Sequence, residues 1–383
     1  MLLTELFPPD VGGTPSLFEN VYSRISARPV TVLTDLADFV HWVTRLKVAP
    51  ASAADPARTA DYYWMEYAAR LLTAGQPLQA SKVLHTLREP TSVYVVRLDP
   101  RFRAIVVSDG AFFDVRKTGE RRLAELDALA AKAPNRLGLL NARADLLRRM
   151  GRPEAALELV DSVQGRMSRV PSETGAYEDR DLAAADWWAT RAWTLYALGR
   201  FDEALGDARR GATIEQKDSA DAEPRPNVNE ALSLANMLLD LGRQQEALEV
   251  LRPLEARKDL SASERVSVIE GRGCAHGNLN DLKAVRADIK ALEKLNAGDF
   301  SMLRVWRCAE QYDEAAAAVI RLLKDPGLAP YALMQLSGDP EPPFPTWGDA
   351  AIKRRLTALR ARADVQAAIA ATGGRLEANP LRF

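Results

Sequence analysis

Small and apolar residues recur along this chain at fixed distances from four glycines. Around Gly199 the text reads Leu195-Tyr-Ala-Leu-Gly-Arg-Phe-Asp-Glu-Ala-Leu205, and close variants surround Gly75, Gly151 and Gly242. Seven residues before each glycine stands an alanine: Ala68, Ala144, Ala192 and Ala235. Four before stands a leucine: Leu71, Leu147, Leu195 and Leu238. Five after stands a second alanine: Ala80, Ala156, Ala204 and Ala247. Eleven before stand Trp64, Leu140, Trp188 and Ala231. Residues three, four and seven apart share one face of a helix. The pattern therefore predicts pairs of helices joined by a tight turn. Glycine supplies the left-handed conformation that ends the first helix. The alanines let the two helix axes approach to about 8–10 Å where they cross.

The predicted hairpins run over Asp61–Thr73 with Leu78–Leu87, Leu137–Met150 with Pro153–Val163, Ala183–Leu198 with Phe201–Thr213, and Asn227–Leu241 with Gln244–Ala256. Two weaker ones follow. One turns at Gly277, where Glu270 and Gly273 take the places of the small residue and the leucine. The other turns near Glu310, with Leu303, Trp306 and Ala315 at the three offsets. Polar stretches at Gly165–Asp181 and Gln216–Pro226 read as loops between hairpins. A helix over Leu36–Val48 is expected before the first hairpin.

Residues 92–116 interrupt the pattern. Ser92–Val96 and Arg103–Val107 are β-rich and can form a hairpin of short strands, although valine-rich text also sits in helices or extended loops. At the other end, Asp339–Pro345 holds four prolines and must be extended. Gly348–Ala371 then reads as one amphipathic helix that caps the last core.

The offsets resemble the tetratricopeptide repeat, whose period is about 34 residues. That resemblance implies a mainly α fold over residues 37–383, an α-α superhelix or solenoid of helical hairpins, with an irregular or β-containing insert at 92–116 and a C-terminal cap at 348–371. It also implies a non-catalytic scaffold whose concave groove, lined by the first helix of each hairpin, binds a protein or peptide. Residues of those helices that stand off the core face are the groove candidates: Tyr62, Met65, Asn141, Asp145, Arg148, Asp186, Trp193, Tyr196, Asn229 and Asn236. Asparagine can pair with an extended backbone, and aromatic rings supply anchors. Trp193 and Tyr196, three apart on one helix, are the leading pair. Trp64 and Trp188 read as core.

Residues 1–36 stand apart. Met1–Leu6 and Val30–Thr34 read as strands around a Gly-rich loop and a helix, the opening of a βαβ unit. Thr4-Glu-Leu-Phe-Pro-Pro-Asp-Val-Gly-Gly-Thr14, followed by Val30-Thr-Val-Leu-Thr34, resembles the start of family 4 glycosyltransferases. The resemblance implies a phosphate site at Gly12 and Gly13, next to a helix N-terminus. No further strand–helix units follow, so the segment reads as an orphan fragment of such an enzyme. A glycosyltransferase-related protein, or a regulator of one, is the alternative function.

Composition narrows the chemistry. The chain has 383 residues, 47% hydrophobic and 27% charged, with a net charge of −1. That balance argues against a nucleic-acid surface built on phosphate contacts. No apolar run approaches the ~20 residues of a membrane span, and no basic region opens a secretory signal. A cytoplasmic location is expected, or a periplasmic one if the N-terminus is not native. The three histidines have no partners at metal-ligand spacing, so neither metal nor cofactor is expected. His85 reads as packing or surface. Asp179, Asp181 and Asp186 read as helix-start carboxylates, and Glu215 with Glu223 as a chance spacing in a polar linker. Cys274 and Cys308 lie 34 residues apart, at similar places in adjacent hairpins. They read as buried small hydrophobes, with a disulfide as the alternative.

Overall fold

Each hairpin turn is built by the same hydrogen bond. The N–H one residue past the turn reaches back to the carbonyl of the residue that precedes the turn residue by four. Gln76, Arg152, Arg200, Arg243, Asp281 and Gln311 donate to Leu71, Leu147, Leu195, Leu238, His276 and Trp306 at 2.8–3.0 Å. This is the six-to-one bond of a left-handed helix terminus. Gly75, Gly151, Gly199 and Gly242 carry φ of +72° to +77°, as the spacing predicts. The last two turns are made without glycine, by Asn280 (φ 60°) and Glu310 (φ 55°).

The computed structural model describes residues 61–167, 176–216 and 225–381. The expectations for residues 1–36, including Gly12 and Gly13, and for the helix over Leu36–Val48 lie outside them. The described residues hold nineteen α-helices. They are α1 Asp61–Thr73, α2 Pro77–Leu84, α3 Pro90–Leu98, α4 Arg103–Ser108, α5 Val115–Lys132, α6 Leu137–Arg149, α7 Pro153–Asp161, α8 Gln164–Met167, α9 Arg180–Ala197 and α10 Phe201–Thr213. After these come α11 Val228–Asp240, α12 Gln244–Glu255, α13 Ala262–Asn278, α14 Leu282–Lys294, α15 Asp299–Cys308, α16 Tyr312–Lys324, α17 Ala329–Ser337, α18 Trp347–Arg360 and α19 Ala363–Ala371. The only strands among the described residues are β1 Glu215–Gln216 and β2 Arg225–Pro226, an antiparallel pair that clips the ends of the α10–α11 loop.

The hairpins are α1/α2, α6/α7, α9/α10, α11/α12, α13/α14 and α15/α16. Their crossings are closed by the small residues the pattern marks. Ala68, Ala80, Ala144, Ala156, Ala192, Ala204, Ala235 and Ala247 are all buried. Trp64 and Trp188 are only partly buried and pack against the cores from the side, whereas Trp187 is fully enclosed. First helices stand side by side: α6 against α9, α9 against α11, α11 against α13, and α13 against α15. A second helix touches the following first helix, as α10 does α11 and α12 does α13.

The stack closes on itself. One core cluster joins Met65, Tyr94, Val96 and Phe102 near one end to Leu322, Leu333, Leu336 and Leu381 near the other. Helix α17 packs on α16 and on α3. Tyr94 Oη donates to the Glu377 carbonyl at 2.6 Å, and Arg97 Nε to its carboxylate at 2.7 Å.

Four expectations are corrected. The β-rich insert is helical: Ser92–Val96 lies in α3 and Arg103–Val107 in α4. Pro90 at the first turn fixes φ for a helix, and Asp99 caps the 3-10 turn Pro100–Phe102 that redirects the chain. Val93, Tyr94, Val95 and Val96 are all buried, so no amphipathic period shows in the text. Gly277 is not a turn but lies inside α13; counted from Asn280, the small residue at minus seven is Gly273. The C-terminal helix is two helices. They break at Ala361 and Arg362, where Arg362 pairs with Asp313 at 2.7 Å and with Asp364 at 2.9 Å. Only α19 covers α16 as a cap; α18 instead runs along the hairpin turns, against α11 and α16. Finally, Cys274 on α13 and Cys308 on α15 are joined in a disulfide.

Candidate functional site

The row of first helices gathers some of the sequence candidates and separates others. Trp193 and Tyr196, one turn apart on α9, have ring centroids 5.4 Å apart, edge to face. Phe201 extends the aromatic group, 5.1 Å from Tyr196. Trp193 Nε1 donates to Ser233 Oγ on α11 at 2.7 Å, so the indole joins two hairpins and keeps a partly exposed face.

Asp186, on the first half of α9, and Asn229, at the start of α11, are exposed. Between these helices lies Glu230, which is buried. Burial, with the Asp186 carboxyl as hydrogen-bond partner and like charge, pushes Glu230 up to about 8. The pair therefore holds a shared proton at neutral pH.

Other candidates are occupied within the fold. Asn141 is buried, and its Nδ2 donates to the Ala183 carbonyl at 3.1 Å, fastening α6 to α9. Asp145 sits between Arg148 at 2.6 Å and Arg149 at 2.9 Å. Burial opposes its charge, but the two guanidinium groups outweigh it and hold the carboxyl below its usual range. Tyr62 and Met65 belong to a different place, a cavity of about 200 Å³ near the closure, shared with Asp99, Arg101 and Tyr331. Tyr62 is exposed there and Met65 buried.

Asn236 leads to what the sequence reading missed. Its Oδ1 accepts from Arg304 Nη2 at 2.7 Å, and Arg304 also pairs with Glu270 at 3.2 Å. Asn236, Arg304, Arg307 and Arg355 line a cavity of about 300 Å³, together with Asp240, Asn278 and the disulfide. Arg355 comes from α18; it donates to Asn278 Oδ1 at 2.7 Å and pairs with Glu310 at 3.3 Å. Burial, with the like charge of Asp349, raises Asp240 to about 7. Burial, with Arg304 and Arg355, lowers Arg307 to about 10. The i, i+3 spacing of Arg304 and Arg307 was legible on a predicted helix. The arrival of Arg355 from a later helix was not.

Among the described residues, no group of three or more histidine, cysteine or carboxylate side chains is arranged to hold a metal ion. No described helix is long and apolar enough to cross a membrane. Comparison with models of known protein families finds no match, and comparison with curated proteins finds none either.

Proposed function

We propose that this chain is a non-catalytic scaffold of tetratricopeptide type that holds a protein or peptide against its row of first helices. The observation that carries the reading is the recurrence of one turn geometry in six hairpins, which sets α6, α9, α11, α13 and α15 side by side as one surface. Such a surface suits an extended ligand because successive helices offer side chains at regular intervals. Trp193 and Tyr196 are its aromatic anchors, with the exposed Asp186 and Asn229 on the same two helices, α9 and α11. Rigid aromatic rings bury much area at little entropic cost, so truncating one commonly costs a partner about 2 kcal/mol or more.

The test is affinity capture with the full chain, comparing the parent with Trp193→Ala and Tyr196→Ala. Partner recovery is expected to fall at least tenfold in either variant, with the thermal midpoint measured alongside to separate binding from folding. Unchanged recovery by folded variants would remove the aromatic pair from the binding surface.

A further inference from the structure

Arg307 has no acidic partner among the described residues. Its one polar contact is a long one, Nη1 to Gln335 Oε1 at 3.5 Å. Its neighbours in charge are two further arginines, Arg304 paired with Glu270 and Arg355 paired with Glu310, a carboxylate that Arg354 shares. The guanidinium groups on this wall therefore outnumber the carboxylates paired with them. A half-buried guanidinium with five donors and no acceptor is costly to hold without an anion. Stability does not account for the arrangement, because an uncharged side chain of similar length would avoid that cost.

Arg304, Arg307 and Gln335 form a wall common to two cavities. On one side lies the polar cavity of about 300 Å³ with Asn236, Asn278 and Arg355. On the other lies a cavity of about 330 Å³ lined by Phe300, Leu303, Tyr331 and Met334, together with Glu270, the partner of Arg304. Charge and apolar surface thus stand next to each other, each on the scale of one or two amino-acid side chains.

We propose that Arg307 binds a carboxylate attached to an apolar group, the carboxylate on the arginine wall and the apolar group among Phe300, Leu303, Tyr331 and Met334. A guanidinium fork matches a carboxylate with two parallel hydrogen bonds. A carboxylate brings one negative charge to the one arginine of the wall that lacks an acidic partner among the described residues. A phosphate dianion would bring twice that charge toward Asp240, which lines the polar cavity. Two sources share this chemistry: the C-terminal residue of a peptide, and a free acyl amino acid. The site extends the proposed scaffold function to a ligand end, and it lies apart from Trp193 and Tyr196, so the two can fail separately.

The experiment is calorimetry on the full chain with four probes: a hexapeptide ending in leucine, its C-terminal amide, N-acetylleucine and N-acetylleucine amide. Each acid is expected to bind at least about tenfold more tightly than its amide, the loss of one charge-assisted bidentate contact. A peptide acid that binds tenfold more tightly than N-acetylleucine identifies a chain terminus as the ligand; equal affinities identify a small acid. Arg307→Gln is expected to remove the acid preference while leaving the thermal midpoint equal or higher, since a half-buried charge with no acidic partner among the described residues is gone. Acid and amide binding alike, or no heat from any probe at millimolar concentration, overturns the proposal on the unaltered chain, whatever the variant does. A folded Arg307→Gln that keeps the acid preference overturns it as well.

Discussion

Replacing Gly277 by alanine puts a methyl group where two helices leave no room. A Cβ at Gly277 would fall 2.7 Å from the Ala309 nitrogen, and 2.9 Å from both Ala309 Cα and the Cys308 carbonyl carbon. All three are backbone atoms at the end of α15, so no side chain can swing aside. To reach an ordinary contact, α15 must move by about half an ångström or more. It is tethered by the Cys274–Cys308 disulfide and by Glu310, which holds Arg354 and Arg355. Overpacking of this kind costs about 1–3 kcal/mol, and the backbone clash argues for the upper part of that range. Alanine recovers about 1 kcal/mol of helix propensity over glycine. The expected net effect is a destabilisation of about 1–2 kcal/mol. Gly206, inside α10, is the control, because an added Cβ there meets nothing within 4 Å. Gly206→Ala is expected to stabilise by about 0.5–1 kcal/mol. Urea titrations of parent and variants, followed by circular dichroism, measure both. If Gly277→Ala proved as stable as Gly206→Ala, the close approach of α13 and α15 would be wrong.

Three further outcomes follow from the same structure. The Cys274–Cys308 bond spans 34 residues, a closure worth up to about 4 kcal/mol by chain entropy, so Cys274→Ser with Cys308→Ser should lower the urea midpoint clearly. Two reactive thiols in the unreduced, folded protein would contradict the pairing. Asp240, at about 7 when folded, holds its proton where an unfolded aspartate, near 3.9, has lost it. Its contribution to stability is full at low pH and is lost as pH rises from about 4 through 7. Asp240→Asn should flatten that part of the stability profile and stabilise the chain at pH 8, by about 1–3 kcal/mol given the side chain's partial exposure; an unchanged profile would remove Asp240 from its place beside Asp349. Glu230→Gln should act in the same direction up to about pH 8, because burial and Asp186 raise Glu230; no gain at pH 9 would contradict the shared proton.

Local rules were legible in the sequence and long-range ones were not. The four glycine turns and the buried alanines followed from spacing alone, because a left-handed residue and a crossing each demand a particular side chain. The turn near Glu310 was placed correctly although glutamate is unsuited to φ 55°. Its carboxylate explains the choice, since it gathers Arg354 and Arg355 from α18. Gly277 misled because glycine serves two needs, a positive φ and a close approach. Here it serves the second, and Asn280 the first. The valine-rich insert misled because a helix buried on several sides shows no period. The extended Asp339–Pro345 was foreseen from its prolines and carries no helix or strand. Where it leads was not: Phe344 lies against Gly199 and Trp347 against Gly242, contacts with no signature in adjacent text. The arginine wall is missing from the sequence reading for the same reason, as it needs α15, α17 and α18 together.

The closure of the stack decides whether α17, and with it Tyr331, Met334 and Gln335, stands where the binding cavities require. A double-mutant cycle on Arg97 and Glu377 tests it, since these residues are 280 apart in the chain and meet only if the ends do. Arg97→Ala, Glu377→Ala and the double variant are compared by urea titration. A coupling of about 1 kcal/mol is expected for a half-buried charged pair. Additive effects within about 0.3 kcal/mol, in variants that remain folded, would mean that the ends do not touch.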